Sequence, residues 1–298
     1  MLDLGVTAPT VRPEAATGPG GSTMARIRAN GVELEYETMG NPGDPAVLLI
    51  MGFAFQMTRW PEAFRRSLAE AGFHVIWFDN RDIGLSAEMG GLATYTLNDL
   101  AADAAGLLDA LGIARAHIVG MSMGGMIAQL IALDHPRKVD KLVAMMTSSG
   151  APNLPPPTQE ALAALTAMPM QRTPEAIADI AVKAQHAIGS APNLRNSAEV
   201  IRQNAIDDFR RSDRPFGVIR QFTAIQAQPR WHERLGSITR PTLVLHGADD
   251  PLVRPAAGED IARRIPGARF KAFPGWGHDL ADAMSETLAN EITAFLKA

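Results

Sequence analysis

Apolar and polar positions along this chain alternate with two different periods, and the switches between them mark out its elements. Ala25-Arg26-Ile27-Arg28-Ala29 and Val32-Glu33-Leu34-Glu35-Tyr36-Glu37 change side at every residue, the period of half-buried strands. Asn30-Gly31 between them is the dipeptide that a tight hairpin turn favours. Beyond Asn41-Pro42-Gly43-Asp44-Pro45, residues 46–51 are apolar without a break, as expected of a strand covered on both faces. Helical patterns over 60–71, 97–111 and 126–134 then alternate with short apolar runs over 73–78, 116–119 and 141–146. Such alternation predicts a parallel sheet with helices on both faces and right-handed crossovers.

The rhythm breaks after residue 147. From 148 to 235 the pattern is helical, with Pro152, Pro155, Pro156 and Pro157 marking an extended entry, and the segment reads as an inserted helical cap. Alternation resumes with a strand over 242–245, a helix over 257–264, a strand over 268–273 and a closing amphipathic helix over 280–296. Four regions follow: a flexible tail at 1–23, a first core segment at 24–147, the cap at 148–235 and a second core segment at 236–298.

Composition narrows the function classes. A chain of 298 residues with 46% hydrophobic residues buries a large core without staples, and the absence of cysteine excludes disulfides, thiolate metal sites and a cysteine nucleophile. The net charge of -4 is spread along the chain and leaves no basic stripe for a phosphate backbone, so nucleic acid is not an expected partner. No apolar run reaches the length of a membrane span, and the Gly/Pro/Ala/Thr-rich tail lacks the apolar core of an export signal; a cytoplasmic location is the expectation. His74, His117, His135, His186 and His232 show no metal-ligand spacing, and no metal or cofactor is expected.

Chemistry concentrates at three strand ends. Gly120-Met121-Ser122-Met123-Gly124-Gly125 lies between an apolar run and a helix-patterned stretch, which reads as strand, sharp turn and helix with a serine at the tip. The G-x-S-x-G spacing has a steric reason: side chains two residues either side of the serine collide with neighbouring backbone. Ser122 is therefore a candidate nucleophile. A serine hydroxyl needs a base, a carboxylate to orient that base and donors for the oxyanion. The strand over 242–245 runs into His246-Gly247-Ala248-Asp249-Asp250-Pro251, and the last strand into Pro274-Gly275-Trp276-Gly277-His278, supplying carboxylates and an imidazole in the chain order serine, acid, histidine.

With these motifs in place the chain, from about residue 24 to its end, resembles the α/β-hydrolase fold superfamily. The resemblance implies an α/β architecture with a mostly parallel eight-stranded sheet, and a triad of Ser122, Asp250 and His278. Gly247-Ala248-Asp249-Asp250 matches the family's Gly-x-x-Asp and puts Asp250 at the acid position, with Asp249 as the nearby rival, otherwise a solvent-exposed or turn-capping carboxylate. His246 reads as a hydrogen-bonding residue at a strand end. The oxyanion donors fall to the backbone amides of Met123 and Phe53, in Met51-Gly52-Phe53 where many members carry His-Gly. Asp79-Asn80-Arg81-Asp82-Ile83-Gly84-Leu85-Ser86 has Asp82 where glycine is common, and Arg81 is read as a scaffold residue tying loops together. These two departures resemble the aclacinomycin methylesterase subgroup.

Gly52, Phe55, Met121 and Trp276 are the expected pocket residues, joined by Phe53, Met57 and Met123 in an apolar floor. Arg210-Arg211 and Arg214 are read as a solvated helix face. The expected activity is hydrolysis of a small or hydrophobic carboxylic ester, a methyl ester included, through an acyl-enzyme. Two other readings keep the scaffold: cofactor-free perhydrolase or haloperoxidase chemistry or carbon–carbon hydrolysis by the same triad, and a non-catalytic ligand-binding protein.

Overall fold

The structure, a computed structural model, describes residues 16–17, 23–91 and 94–298. The strands are β1 (Ala16–Thr17), β2 (Thr23–Ala29), β3 (Val32–Met39), β4 (Ala46–Ile50), β5 (His74–Phe78), β6 (Ala116–Met121), β7 (Val139–Met145), β8 (Thr242–Gly247) and β9 (Arg269–Phe273). The core helices are α1 (Glu62–Glu70), α2 (Leu97–Ala110) and α3 (Met123–Asp134), then α8 (Pro255–Arg264) and α9 (Ser285–Lys297). The cap contributes α4 (Gln159–Leu165), α5 (Pro174–Ile188), α6 (Ala198–Arg211) and α7 (Pro215–Ala227). One sheet holds the strands in the order β1-β2-β3-β5-β4-β6-β7-β8-β9, antiparallel from β1 to β5 and parallel from β5 onward.

The eight strands from β2 to β9 form the expected mostly parallel sheet. A ninth, the two-residue β1, pairs with β2 from inside the segment read as a tail; the rest of that segment's first 22 residues lie outside the described residues. The hairpin closes as expected at Asn30 and Gly31, both at positive φ (48° and 81°), the geometry that an Asn-Gly turn tolerates.

Period-two alternation sorts the sheet's side chains into two cores. From β4, Leu48 and Ile50 join one cluster with Leu100, Leu107, Ile127 and Ile261 of α2, α3 and α8. Val47 and Leu49 face the other, with Phe64 and Leu68 of α1 and Leu288 and Ile292 of α9. β9 differs: it is an edge strand whose Arg269 and Lys271 are exposed, a charge pattern that discourages further strand pairing. The closing helix begins at Ser285, not at residue 280: Leu280 and Ala281 line the cavity described below outside any helix, and a 3-10 turn over Asp282–Met284 leads into the helix.

The cap is helical, as its pattern predicts. Thr158, Thr173 and Ser197 each accept a hydrogen bond from the amide three residues on, capping α4, α5 and α6. Its docking corrects the reading of the arginines. Arg210 is exposed, but Arg211 reaches from the end of α6 to Asp79, a side chain with no exposed surface, at 2.7 Å. Arg214 donates to the carbonyl of Ser86, and Arg220 of α7 grips Asp82 with two nitrogens at 2.7 and 2.9 Å. A buried carboxylate requires a partner, and Arg211 and Arg220 are the partners. Asp79 remains the acceptor for the amides of Met57 and Leu85, and burial still pushes its pKa upward. Arg81 is the expected scaffold residue, bidentate to Asp103 at 2.6 Å.

Candidate active site

The C-terminal ends of β4, β6, β8 and the loop after β9 converge beneath the cap. Ser122 sits between β6 and α3 at φ 53°, ψ −121°, a conformation costly for any residue with a side chain, about 1–3 kcal/mol. Its neighbours hold it there. The Ser122 amide donates to the Met145 carbonyl at 2.9 Å, and its own carbonyl accepts the Thr147 hydroxyl at 2.6 Å. The flanking glycines have the predicted steric reason: a Cβ on Gly120 would strike the Gly124 carbonyl, and one on Gly124 the Ile50 carbonyl.

His278 Nε2 lies 3.0 Å from Ser122 Oγ, and His278 Nδ1 lies 2.7 Å from Asp250 Oδ2. The second carboxylate oxygen of Asp250 accepts the amides of Leu252 and Val253, each at 2.9 Å, so the carboxylate is fixed from behind. Asp249 turns the other way and accepts the Gly275 amide at 2.7 Å, the turn-capping role expected of it. His246, fully buried, makes its Nε2 contact with the Val253 carbonyl at 2.7 Å and so closes the acid-bearing loop; burial pulls its pKa down, which keeps it neutral.

The loop after β4 passes directly over the serine. A Cβ on Gly52 would lie 3.1 Å from Ser122 Cβ, a tight contact that would push against the serine side chain by a few tenths of an ångström. The Phe53 amide follows it, and the Met123 amide is the first of α3, with no intrahelical acceptor. The Met123 side chain points into the core, so only its backbone faces the serine turn.

Above Ser122 lies a cavity of about 810 Å³. Gly52, Phe53, Phe55 and Met121 line it, and the cap adds Ile180, Ile188, Ile219 and Phe222. Trp276 does not. It is completely buried, edge-on to Phe273, and its indole N–H donates to the Asp279 carbonyl at 2.8 Å, so it anchors the histidine loop from inside the core. Met57 and Met123 are likewise core residues and not cavity floor.

Several side chains at the site carry no motif in the sequence. Asp279 accepts the Ser190 amide and hydroxyl at 2.9 and 2.5 Å, and the His278 amide donates to the Ile188 carbonyl at 2.7 Å, so the cap end of α5 grips the histidine loop. Burial raises the pKa of Asp279. Gln221 of α7 binds the loop after β4. Among the described residues, no cluster of histidine and carboxylate has the makings of a metal site, and no helix is long and apolar enough to cross a membrane.

Comparison with known proteins places this geometry. The sequence model of the alpha/beta hydrolase fold family matches residues 45–282. The chain belongs to that family. Within it, rhodomycin D methylesterase DnrP of Streptomyces peucetius is 30% identical over 90% of this chain and 96% of its own length. A 2-hydroxy-6-oxononadienedioate/2-hydroxy-6-oxononatrienedioate hydrolase of Burkholderia vietnamiensis is 30% identical over 98% of this chain and all of its own. The solved structure of a hydrolase from Pseudomonas aeruginosa superposes with a TM-score of 0.72 at 27% identity, covering 94% of this chain and all of that one. This α/β hydrolase is accordingly an enzyme, and within the family it resembles the methylesterase branch.

Proposed function

We propose that this α/β hydrolase is a serine carboxylesterase whose substrate is a neutral, largely apolar ester, with a methyl ester of a bulky acid as the preferred form. The observation that carries the reading is the hydrogen-bonded line from Ser122 Oγ through His278 to Asp250, opening on an apolar cavity.

In this reading Ser122 Oγ attacks the ester carbonyl carbon and its proton passes to His278 Nε2. Asp250 holds the imidazole in the tautomer with Nδ1–H and stabilises the imidazolium. The amides of Phe53 and Met123 receive the oxyanion; a single such donor is worth about 3 kcal/mol of transition-state stabilisation. His278 then protonates the departing alkoxide. A water activated by the same imidazole adds to the acyl-enzyme, and its collapse releases the acid and restores Ser122.

Charge favours a neutral substrate. Arg59, Arg65 and Arg172 border the cavity, and each is engaged by a carboxylate: Asp208 at 3.0 Å, Glu37 at 3.8 Å and Asp213 at 3.0 Å respectively. A dianion such as the dienedioate named for the Burkholderia relative would have to compete with those partners. The methyl ester preference draws on the rhodomycin D methylesterase relative and on the cavity's size. The test compares nitrophenyl acetate, a methyl ester of a polycyclic aromatic acid, peracid formation and a 2-hydroxy-6-oxodienoate. The proposal expects the two esters to be turned over, the bulky one with the higher kcat/KM; diketone or peracid turnover without ester turnover overturns it.

A further inference from the structure

The cap does more than roof the cavity: one of its side chains is built into the backbone that carries the expected Phe53 donor. Gln221 lies on α7 and is completely buried. Its Oε1 accepts the Ala54 amide at 3.1 Å, and its Nε2 donates to the Arg81 carbonyl at 3.2 Å. The two partners fix the orientation of the carboxamide, because a backbone amide only donates and a carbonyl only accepts. Ala54 needs such a clamp. It stands at φ 63°, a left-handed conformation that alanine disfavours, in a turn whose own closing bond from the Phe55 amide to the Gly52 carbonyl is a long 3.4 Å. The next residue of α7, Phe222, packs its ring against Phe53 with centroids 5.9 Å apart. Adjacent residues of one cap helix therefore hold adjacent residues of the oxyanion loop.

We propose that Gln221 is a positioning residue for the oxyanion hole: by binding the Ala54 amide it fixes the peptide on the C-terminal side of Phe53 while Phe222 holds the Phe53 ring, and Phe53 so anchored restricts the adjoining Gly52–Phe53 peptide, whose N–H aims at the developing oxyanion. The inference rests on the esterase reading above. It couples cap and chemistry through one carboxamide of α7, and not through the docking of the helix as a whole. Arg220, one residue earlier, binds Asp82 and not the loop, and it supplies the control.

The experiment compares Gln221→Met, which keeps the length and loses both hydrogen bonds, with Arg220→Met, which loosens the same helix elsewhere. A complete oxyanion donor is worth about 100- to 1000-fold in kcat, so a misaimed one should lose about 10- to 100-fold. Gln221→Met is expected to lose that much kcat with KM within about threefold, the signature of an interaction made only in the transition state. The affinity of an alkyl trifluoromethyl ketone, whose hemiketal with Ser122 places an oxyanion in the hole, should fall in parallel. Arg220→Met should lower the melting temperature and keep kcat within about threefold. Should Gln221→Met not fold, Gln221→Asn keeps the polarity and falls one methylene short of Ala54. Unchanged kcat and ketone affinity in the Gln221 variants, or an equal loss in Arg220→Met, overturns the proposal. The rate of Ser122 labelling by a fluorophosphonate reads the same hole without any ester, so absent ester turnover in the unaltered enzyme would refute the esterase reading and leave this comparison in force.

Discussion

Replacing Asp250 by asparagine should be far more damaging than the same change at Asp249, and the hydrogen bonds around each carboxylate say why. Asp250 uses one oxygen to accept two backbone amides, from Leu252 and Val253, and the other to hold His278 Nδ1. An asparagine at this position has a single oxygen, and the two amides claim it. Its NH2 group must then face His278 Nδ1, where it can only donate. The imidazole is driven into the tautomer with its proton on Nε2, where it cannot take the proton of Ser122 Oγ 3.0 Å away. An enforced wrong tautomer of this kind costs about 10⁴ in kcat, roughly 5.5 kcal/mol of barrier. Asp249 accepts one amide, from Gly275, and an asparagine oxygen accepts it as well. The loss there is a charge-assisted hydrogen bond exchanged for a neutral one, about 1 kcal/mol of loop stability with kcat within about threefold. Steady-state hydrolysis of nitrophenyl acetate by both variants, with melting temperatures as the folding control, decides the matter. Equal losses from the two changes, or an Asp250→Asn variant within tenfold of the parent, would refute the assignment of the acid.

Two further outcomes follow from the buried charges. Arg211→Met strands the fully buried Asp79 without its cation, a loss of about 3–5 kcal/mol that should lower the melting temperature by about 5–8 °C, with Asp79→Asn recovering part of it in the double variant; a shift under 2 °C would show that the cap is not held there. His74, His117 and His246 are all buried with pKa values pulled below the ordinary 6.5 by desolvation. A depressed folded-state pKa means that the stabilising contribution is present above 6.5 and is lost as pH falls through the folded value, because the unfolded chain takes the proton first. Stability should therefore decline below pH 6.5, by at most about 1.4 kcal/mol per pH unit for each histidine, and more shallowly in His246→Gln; a parallel decline in that variant would contradict a neutral His246.

The sheet and the three site-bearing strand ends were legible because each depends on local pattern. Uninterrupted apolar runs of five or six residues, bounded by turn residues, suit strands covered on both faces, and Gly120 and Gly124 announce backbone contacts that a side chain would break. Side-chain direction after a turn is not local, which is why Trp276, next but one to His278, is core and not cavity wall. The arginines of the cap read as a solvated face because a helix does not disclose which distant carboxylate meets it. One signal did exist. Asp82 occupies a family glycine position and stands at φ 71°, and a carboxylate kept at a strained site implies a cation, which is Arg220. Gln221 has no such marker, since its two partners are backbone groups far away in sequence.

The central claim is that Ser122 is the nucleophile of an esterase, and intact-mass spectrometry after fluorophosphonate treatment, read beside nitrophenyl ester turnover, tests it most directly. The account predicts one phosphonyl adduct per chain, mapped to Ser122, with Ser122→Ala taking up no label, retaining its melting temperature and losing at least about 10⁴-fold in kcat. Labelling of Ser122→Ala to the same extent, or ester turnover that survives the substitution, would contradict it.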